Sequence, residues 1–410
     1  KDNIVKYLGD IDSCNACLDK DTILNDGDSL NTIENLKNNK SWKVGIKECI
    51  KLITNAGHEI IVTPDHRIML EDGSFIEAKD SLNKDIKWGL GNKNPTMGSD
   101  VDEITGFLFG DGFICGGGFG VSVKLNKEKE ETMYNRLISI GFHEESCGVL
   151  YINKEKLELR LGRDVNFLKN RVFDRIIPDS ILFSDYINLG SFISGLFEAN
   201  GSAILSNNQV SLKTTCKEQA TQVQIILGYF GIESWIVKVK ERPIHWKNGD
   251  YVSKASYDLQ IAPRNAYKFK EKIGFLSDYK NDKINKLEGK YKTHLKIISI
   301  ENIGEREVWD FTVENGYDYA NGLIVHNCGE IPSLPYEACN LASINLTKFF
   351  IPETKNLDWE FLEYVVRLTT RFLDDVHTIS FSNLEKVNTQ VKGLRRLGIG
   401  VMGFADLLAE

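Results

Sequence analysis

No stretch of the 410 residues stays apolar for about 18 positions, the length a membrane-spanning helix needs. Nor is there an excess of positive charge. Fifty Lys and Arg stand against 58 Asp and Glu, a net charge of −8, which excludes a chain that binds nucleic acid along its whole length. Cysteine is sparse: eight are scattered over the sequence, so a disulfide framework is not expected and reduced thiols in a cytoplasm are. Cys14-Asn15-Ala16-Cys17 is a C-x-x-C without a second such pair, which argues against a zinc site; its two cysteines read as having separate tasks. The opening KDNIVKYLGD does not read as a signal peptide. With 42% hydrophobic and 26% charged residues, the chain has the composition of a soluble globular protein and the length for two or three domains.

Residues 17 to about 90 read as short strands and turns. Val44–Ile46 and Ile60–Val62 are β-branched, and Ile68–Leu70 and Phe75–Ile76 flank Glu71-Asp72-Gly73-Ser74, a hairpin signal. GNKNPTMGSD (91–100) has no apolar period and reads as a linker. An internal repeat follows. ITGFLFGDG (104–112) answers ISGLFEANG (193–201), and VSVK (121–124) answers VSLK (210–213), both at an offset of 89. Ile140-Gly141-Phe142 answers Phe230-Gly231-Ile232 at an offset of 90, so a duplicated helix–strands–helix unit is expected. Strand patterns return at Leu295–Ile300, Val308–Val313 and Leu323–Val325, the last preceded by the tight-turn pair Asn321-Gly322. An all-β region is thus split by an α/β insert. From Cys328 the texture changes, and Phe361, Val365, Leu368 and Phe372 recur at helical spacing.

The two seams carry nucleophiles. A Cys thiol can attack the carbonyl on its own N-terminal side to give a thioester, which a second Cys can take over. An Asn side chain can attack its own main-chain carbonyl and cut the bond that follows, and a neighbouring His can move protons. Cys17 and the triplet His326-Asn327-Cys328 supply these groups. With CLDKDTILNDGDSL at the start, GHEIIVTPDHRI (57–68) inside and VWDFTVENGYDYANGLIVHNC (308–328) at the end, residues 17–327 resemble an intein, a protein-splicing element. The resemblance implies an all-β, horseshoe-like Hint fold that needs no cofactor. In it Cys17 makes the N–S acyl shift at the Ala16–Cys17 bond, and Thr63 and His66 polarise that bond. Cys328 receives the acyl group with help from Asp310, Asn327 cyclises with His326 assisting, and Ala16 is joined to Cys328. The family often has His where Tyr317 stands, and Tyr moves protons less readily near pH 7. A Cys14–Cys17 disulfide would cap the first nucleophile, a possible redox trigger.

The repeated motif resembles the LAGLIDADG homing endonucleases. Gly106 and Gly110, and Gly195 and Ala199, lie four apart and give each helix a small-residue stripe for close packing at a pseudo-two-fold axis. The family's Mg²⁺-binding acids fall at Asp111 and, in the second motif, at Asn200. Asn holds a divalent cation poorly, and Glu198 points away around the helix, so nicking or binding without cutting is expected. Residues 211–296 hold 17 basic and 9 acidic side chains, a net of +8 suited to double-stranded DNA.

Joining the flanks gives Asn15-Ala16-Cys328-Gly329-Glu330, which with YEACNLASINL and GIGVMGFADLL resembles the active-site loop of the ribonucleotide reductase large chain, adenosylcobalamin-dependent class. That resemblance implies that Cys328 becomes the radical cysteine, Asn15 and Glu330 contact substrate, and Cys339 is a redox partner. Adenosylcobalamin would serve only the complete host enzyme. The domains expected are 1–16 and 328–410 as host flanks (exteins, in cis), the second mostly helical. The splicing domain takes 17–96 and 296–327, and an endonuclease takes 97–295 with repeats 101–190 and 191–290, all in one monomeric chain. Two other readings compete. One is primarily a homing endonuclease or nickase. The other is a Hedgehog-type self-cleaving module, against which Asn327-Cys328 speaks.

Overall fold

The computed structural model describes residues 17–25, 29–36, 41–91, 93–95, 98–171, 174–246, 249–289, 294–311, 317–326 and 336–409. The chain divides into two compact units, one of residues 15–329 and the other of 330–410 with 1–14.

In the larger unit an outer β region is built from both sides of the insert. Five strands run in the order Leu18–Asp19, Glu59–Val62, Ser41–Thr54, Leu295–Phe311, Asp85–Ile86. Four of them form a closed ring, because Leu18 pairs with both Val62 and Trp309. A six-stranded sheet runs Leu30–Thr32, Ile23–Asn25, Tyr317–Ala320, Leu323–His326, Arg67–Met69, Phe75–Glu77. Leu18, Leu24, Leu52, Val62, Ile68, Ile297, Phe311, Leu323 and Val325 fill the core between them. The hairpin expected around Glu71–Ser74 forms, with Arg67 opposite Glu77.

The short strands expected around Val44–Ile46 and at 295–300 and 308–313 are instead parts of two long ones, of 14 and 17 residues. Bulges between Ile297 and Ser299, Asn302 and Gly304, and Val308 and Trp309 bend this pair. Each bulge adds an unpaired residue and breaks the two-residue alternation, so continuous strands read as fragments. The second long strand starts at Leu295, one residue before the expected boundary at 296.

Helices Asp100–Asp111 and Tyr186–Asn200 form the centre of the insert. Their small residues meet as expected. A Cβ on Gly106 would overlap the Phe192 carbonyl oxygen, and one on Gly195 the Glu103 carbonyl oxygen. Each helix leads into a four-stranded sheet in which VSVK or VSLK occupies an inner strand. Helices Glu131–Ser139 and Lys217–Tyr229 then follow, and each gives way to a glycine with positive φ, Gly141 or Gly231. The second repeat starts at Tyr186 rather than 191, because the Asp185 carboxylate accepts from the amides of Ile187 and Asn188 at 3.0 Å and caps the helix there.

The segment read as a linker is packed against the insert. The Gly91 amide donates to the Gly228 carbonyl at 2.8 Å, and Pro95 lies against Gly190. Leu30 and Tyr319 of the outer region belong to the insert's apolar core.

In the smaller unit, parallel strands Asn340–Asn345 and Leu397–Met402 are joined through helices Trp359–Ile379 and Glu385–Leu394. The helical pattern read from Phe361 to Phe372 is borne out, and Phe361, Leu368 and Phe372 are exposed. Among the described residues no helix is long and apolar enough to cross a membrane.

Candidate functional site

Cys17 is completely buried at the point where three strands converge. Its own amide, the nitrogen of the Ala16–Cys17 bond, donates to Thr63 Oγ1 at 3.1 Å, and the Thr63 amide donates back to the Cys17 carbonyl at 3.1 Å. Thr63 follows directly on strand Glu59–Val62, and Thr63-Pro64-Asp65-His66 is a turn closed by the His66 amide on the Thr63 carbonyl at 3.0 Å. Amides of Ala78 and Lys79 tie the turn down by donating to the carbonyls of His66 and Pro64 at 2.7 and 2.9 Å. His66 is fully buried.

Asp310 comes from the long strand paired with Leu18–Asp19, and the Phe311 amide donates to its Oδ1 at 2.8 Å. Burial raises its carboxyl to about 6, against the pull of that hydrogen bond and of the Lys47 charge. Burial likewise pushes the Cys17 thiol up to about 12. Lys47 opposes this, while Asp310, Asp65 and Cys49 add to it. Near neutral pH Cys17 is therefore a neutral thiol. Lys47 Nζ is buried without a hydrogen-bond partner among the described residues. Its charge is the one that favours the thiolate.

His326 ends strand Leu323–His326, whose Val325 pairs with Ile68, two residues beyond His66. Its ring meets Phe75 edge-on at 5.0 Å, and burial, then Arg67, lowers its pKa. Tyr317 lies opposite His326 in the register. Cys17, Thr63 and Asp310 thus lie at strands of the closed ring, His326 ends a strand of the six-stranded sheet, and the turn to His66 runs from one sheet to the other. Cys14, Asn15, Ala16, Asn327, Cys328 and Glu330 lie outside the described residues. Cys339 belongs to the smaller unit and is half-buried.

Sequence reasoning missed Lys47, Cys49 and His58. In Gly45-Ile46-Lys47-Glu48, alternation would turn Ile46 inward, yet Ile46 is 68% exposed and Lys47 reaches inside. His58 is buried, and its Nδ1 donates to the Asn321 carbonyl at 3.1 Å; burial lowers its pKa to about 4. A Cβ on Gly322, whose φ is 89°, would overlap that ring.

At the second candidate site the two motif helices end together, with Asn200 Nδ2 3.2 Å from where a Cβ of Gly110 would stand. Asp111 is raised by desolvation between the helix ends and by Glu130, against Lys280 and Arg175. Two cations missed by sequence reasoning close these ends. Arg175 donates to the carbonyls of Phe109 and Gly112 at 2.6 and 2.7 Å, and Lys280 donates to the Glu198 carbonyl. Glu198 is wholly buried and accepts from the amides of Leu276 and Ser277 at 2.9 and 3.1 Å, so its role is internal, as its angle on the helix implied. Of the two motif positions Asp111 alone is a carboxylate, and no group of three or more His, Cys, Asp or Glu among the described residues suits a metal ion. These residues do not fit a Mg²⁺ ion held by protein alone.

The profile of the ribonucleotide reductase barrel domain matches residues 8–410. The chain belongs to this family. Over 131 residues the chain is 36% identical to a vitamin B12-dependent ribonucleoside-diphosphate reductase of Thermoplasma acidophilum, covering 27% of this chain and 17% of that one. It is 24% identical over 251 residues to a glutamine–fructose-6-phosphate aminotransferase of Methanocaldococcus jannaschii, covering 57% of this chain and 22% of that one. It is 27% identical over 287 residues to a DNA polymerase of Thermococcus hydrothermalis, covering 63% of this chain and 16% of that one. The chain thus spans less than a quarter of the length of each of these relatives. Among solved structures it is similar to I-DmoI in complex with DNA and Mn (18% identity, TM-score 0.28, 43% of this chain and 96% of that one). It is also similar to an Ssp DnaB mini-intein variant (12% identity, TM-score 0.23, 76% and 98%).

Proposed function

We propose that residues 17–327 are a self-splicing element inserted in a ribonucleotide reductase large chain. The observation that carries this reading is the pair of hydrogen bonds between Cys17 and Thr63, which fixes the amide to be broken against a buried turn bearing His66. A second support is the distribution of relatives. An aminotransferase and a DNA polymerase share no activity with a reductase, yet each matches more than half of this chain. A transferable insert explains that pattern.

Cys17 Sγ attacks the Ala16 carbonyl carbon and gives up its proton. The Ala16–Cys17 C–N bond breaks as His66 protonates the departing nitrogen. The Cys328 thiol then attacks the thioester and releases the Cys17 thiol, with Asp310, half-ionised near pH 6, as proton acceptor. The Asn327 side-chain nitrogen attacks its own main-chain carbonyl and frees the Cys328 amine while His326 moves the proton. That amine displaces the sulfur, and Ala16–Cys328 becomes a peptide bond. The ring of strands gathers Cys17 and Asp310, and these steps need the end at Asn327 brought within bonding reach of them.

Joined, Asn15, Cys328, Glu330 and Cys339 would serve the complete reductase, with adenosylcobalamin as its cofactor. Incubation of the purified chain with reductant at neutral pH, followed by intact mass, tests the reading. Two products, 17–327 and 1–16 joined to 328–410, are expected, and Asn327→Ala should give no joined product. An unchanged mass for the unsubstituted chain would sink it.

For the insert we propose binding of double-stranded DNA without double-strand cleavage, because Asn200 stands beside Asp111. A supercoiled plasmid carrying the uninterrupted host site should give no linear product in Mg²⁺. Accumulating linear DNA would refute this.

A further inference from the structure

The hairpin that ends at His326, the residue before Asn327 in the sequence, does not rest on the outer β sheets alone. Its register sets Tyr319 opposite Ile324, and His326 lies two residues beyond Ile324, so Tyr319, Ile324 and His326 share one face. From that face Tyr319 enters the insert. It is buried, belongs to the insert's apolar core, and its hydroxyl donates to the Ile225 carbonyl at 2.6 Å. Ile225 lies in helix Lys217–Tyr229. One turn on, Gly228 leaves the space that the Tyr319 ring and hydroxyl occupy, since a Cβ there would overlap Oη. A second link runs beside it: the Gly89 amide donates to the Gly322 carbonyl at 3.0 Å, and the Gly91 amide to Gly228. The other supports of the hairpin come from the splicing region. His58 Nδ1 and the Ile23 amide hold Asn321 at the tip, and Val325 pairs with Ile68 at the edge. On the face that His326 shares with Tyr319, Phe75 meets the His326 ring edge-on at 5.0 Å, and Tyr319 is the residue there that reaches into the insert.

We propose that Tyr319 is a positioning residue for cleavage after Asn327, held by insert helix Lys217–Tyr229, so that the insert is a structural part of the C-terminal half of the splicing site. This rests on the splicing reading above. The chemistry at Cys17 leans on different supports, Thr63, the turn to His66 and the long strand with Asp310. The two halves of the reaction therefore separate in a test.

The experiment uses the full chain in two backgrounds. Cys17→Ala leaves only Asn327 cyclisation, read as release of 328–410. Asn327→Ala leaves thioester formation, read as hydroxylamine cleavage after Ala16. Tyr319→Phe removes the hydroxyl. Gly228→Ala reaches the same contact from the insert side, while improving the helix propensity of its own helix. Both substitutions are expected to slow release of 328–410 about tenfold and to leave hydroxylamine cleavage within twofold. Hydrogen exchange of the amides in 323–326 should rise, with that of 41–62 unchanged. Unchanged rates in both backgrounds overturn the proposal. So does a parallel fall of both rates with exchange rising throughout, which marks simple loss of folding. Parent chains that yield neither product overturn the splicing reading itself, and this proposal with it.

Discussion

At the scale of single residues, the hydroxyl of Thr63 holds the Cys17 amide, the bond that the proposed reaction breaks first. Thr63→Ala should reduce hydroxylamine cleavage after Ala16 at least tenfold in an Asn327→Ala chain, with little change in melting. Asp310 gives a test by pH. Its folded pKa, about 6, lies above the ordinary aspartate value of 3.8, so its favourable contribution is complete below about pH 4 and is lost as pH rises through 6. Asp310→Asn removes that loss. The variant should match the unsubstituted chain near pH 4 and exceed it by about 3 kcal/mol at pH 7.5, read from urea midpoints. The pairing of Cys17 with Thr63 was legible because both stand in the quoted motifs, and the structure sets the Thr63 hydroxyl on the Cys17 amide. Lys47 was not. Its inward turn contradicts the alternation of its neighbours, and only a bulged, ring-closing pair of strands brings its ammonium near Cys17.

Among the elements, the two motif helices were legible at once, since a stripe of small residues has few uses other than close packing. Gly195→Ala would set a methyl against the Glu103 carbonyl. Overpacking of about 1–3 kcal/mol outweighs a helix-propensity gain of about 1 kcal/mol, so the thermal midpoint should fall. The long strands were read as fragments because bulges hide their length. Segment 91–95 read as a linker because contacts with residues more than 90 positions away leave no trace in local composition. Tyr319 was invisible for the same reason: its hydrogen bond spans 94 positions.

Across the larger unit, the splicing region and the insert share a core through Leu30 and Tyr319. Trp88 against Trp235 at 4.9 Å and Glu59 with Lys217 at 2.6 Å add to the joint. They should therefore open together. In a Cys17→Ala chain, hydrogen exchange in strand Ser41–Thr54 and in helix Lys217–Tyr229 should report the same opening free energy, within about 0.5 kcal/mol. Two well-separated values would show independent bodies. The ring closed by Leu18 with Val62 and Trp309 also has a meaning in time. During synthesis, the strand with Asp310 emerges only after the whole insert. At about 5–20 residues per second, roughly 10–50 s separate Val62 from Trp309. Until then the ring around Cys17 is open and Asp310 is missing from it. The insert thus acts as a delay line: the strands close around Cys17 only after the residues that follow the insert have been made.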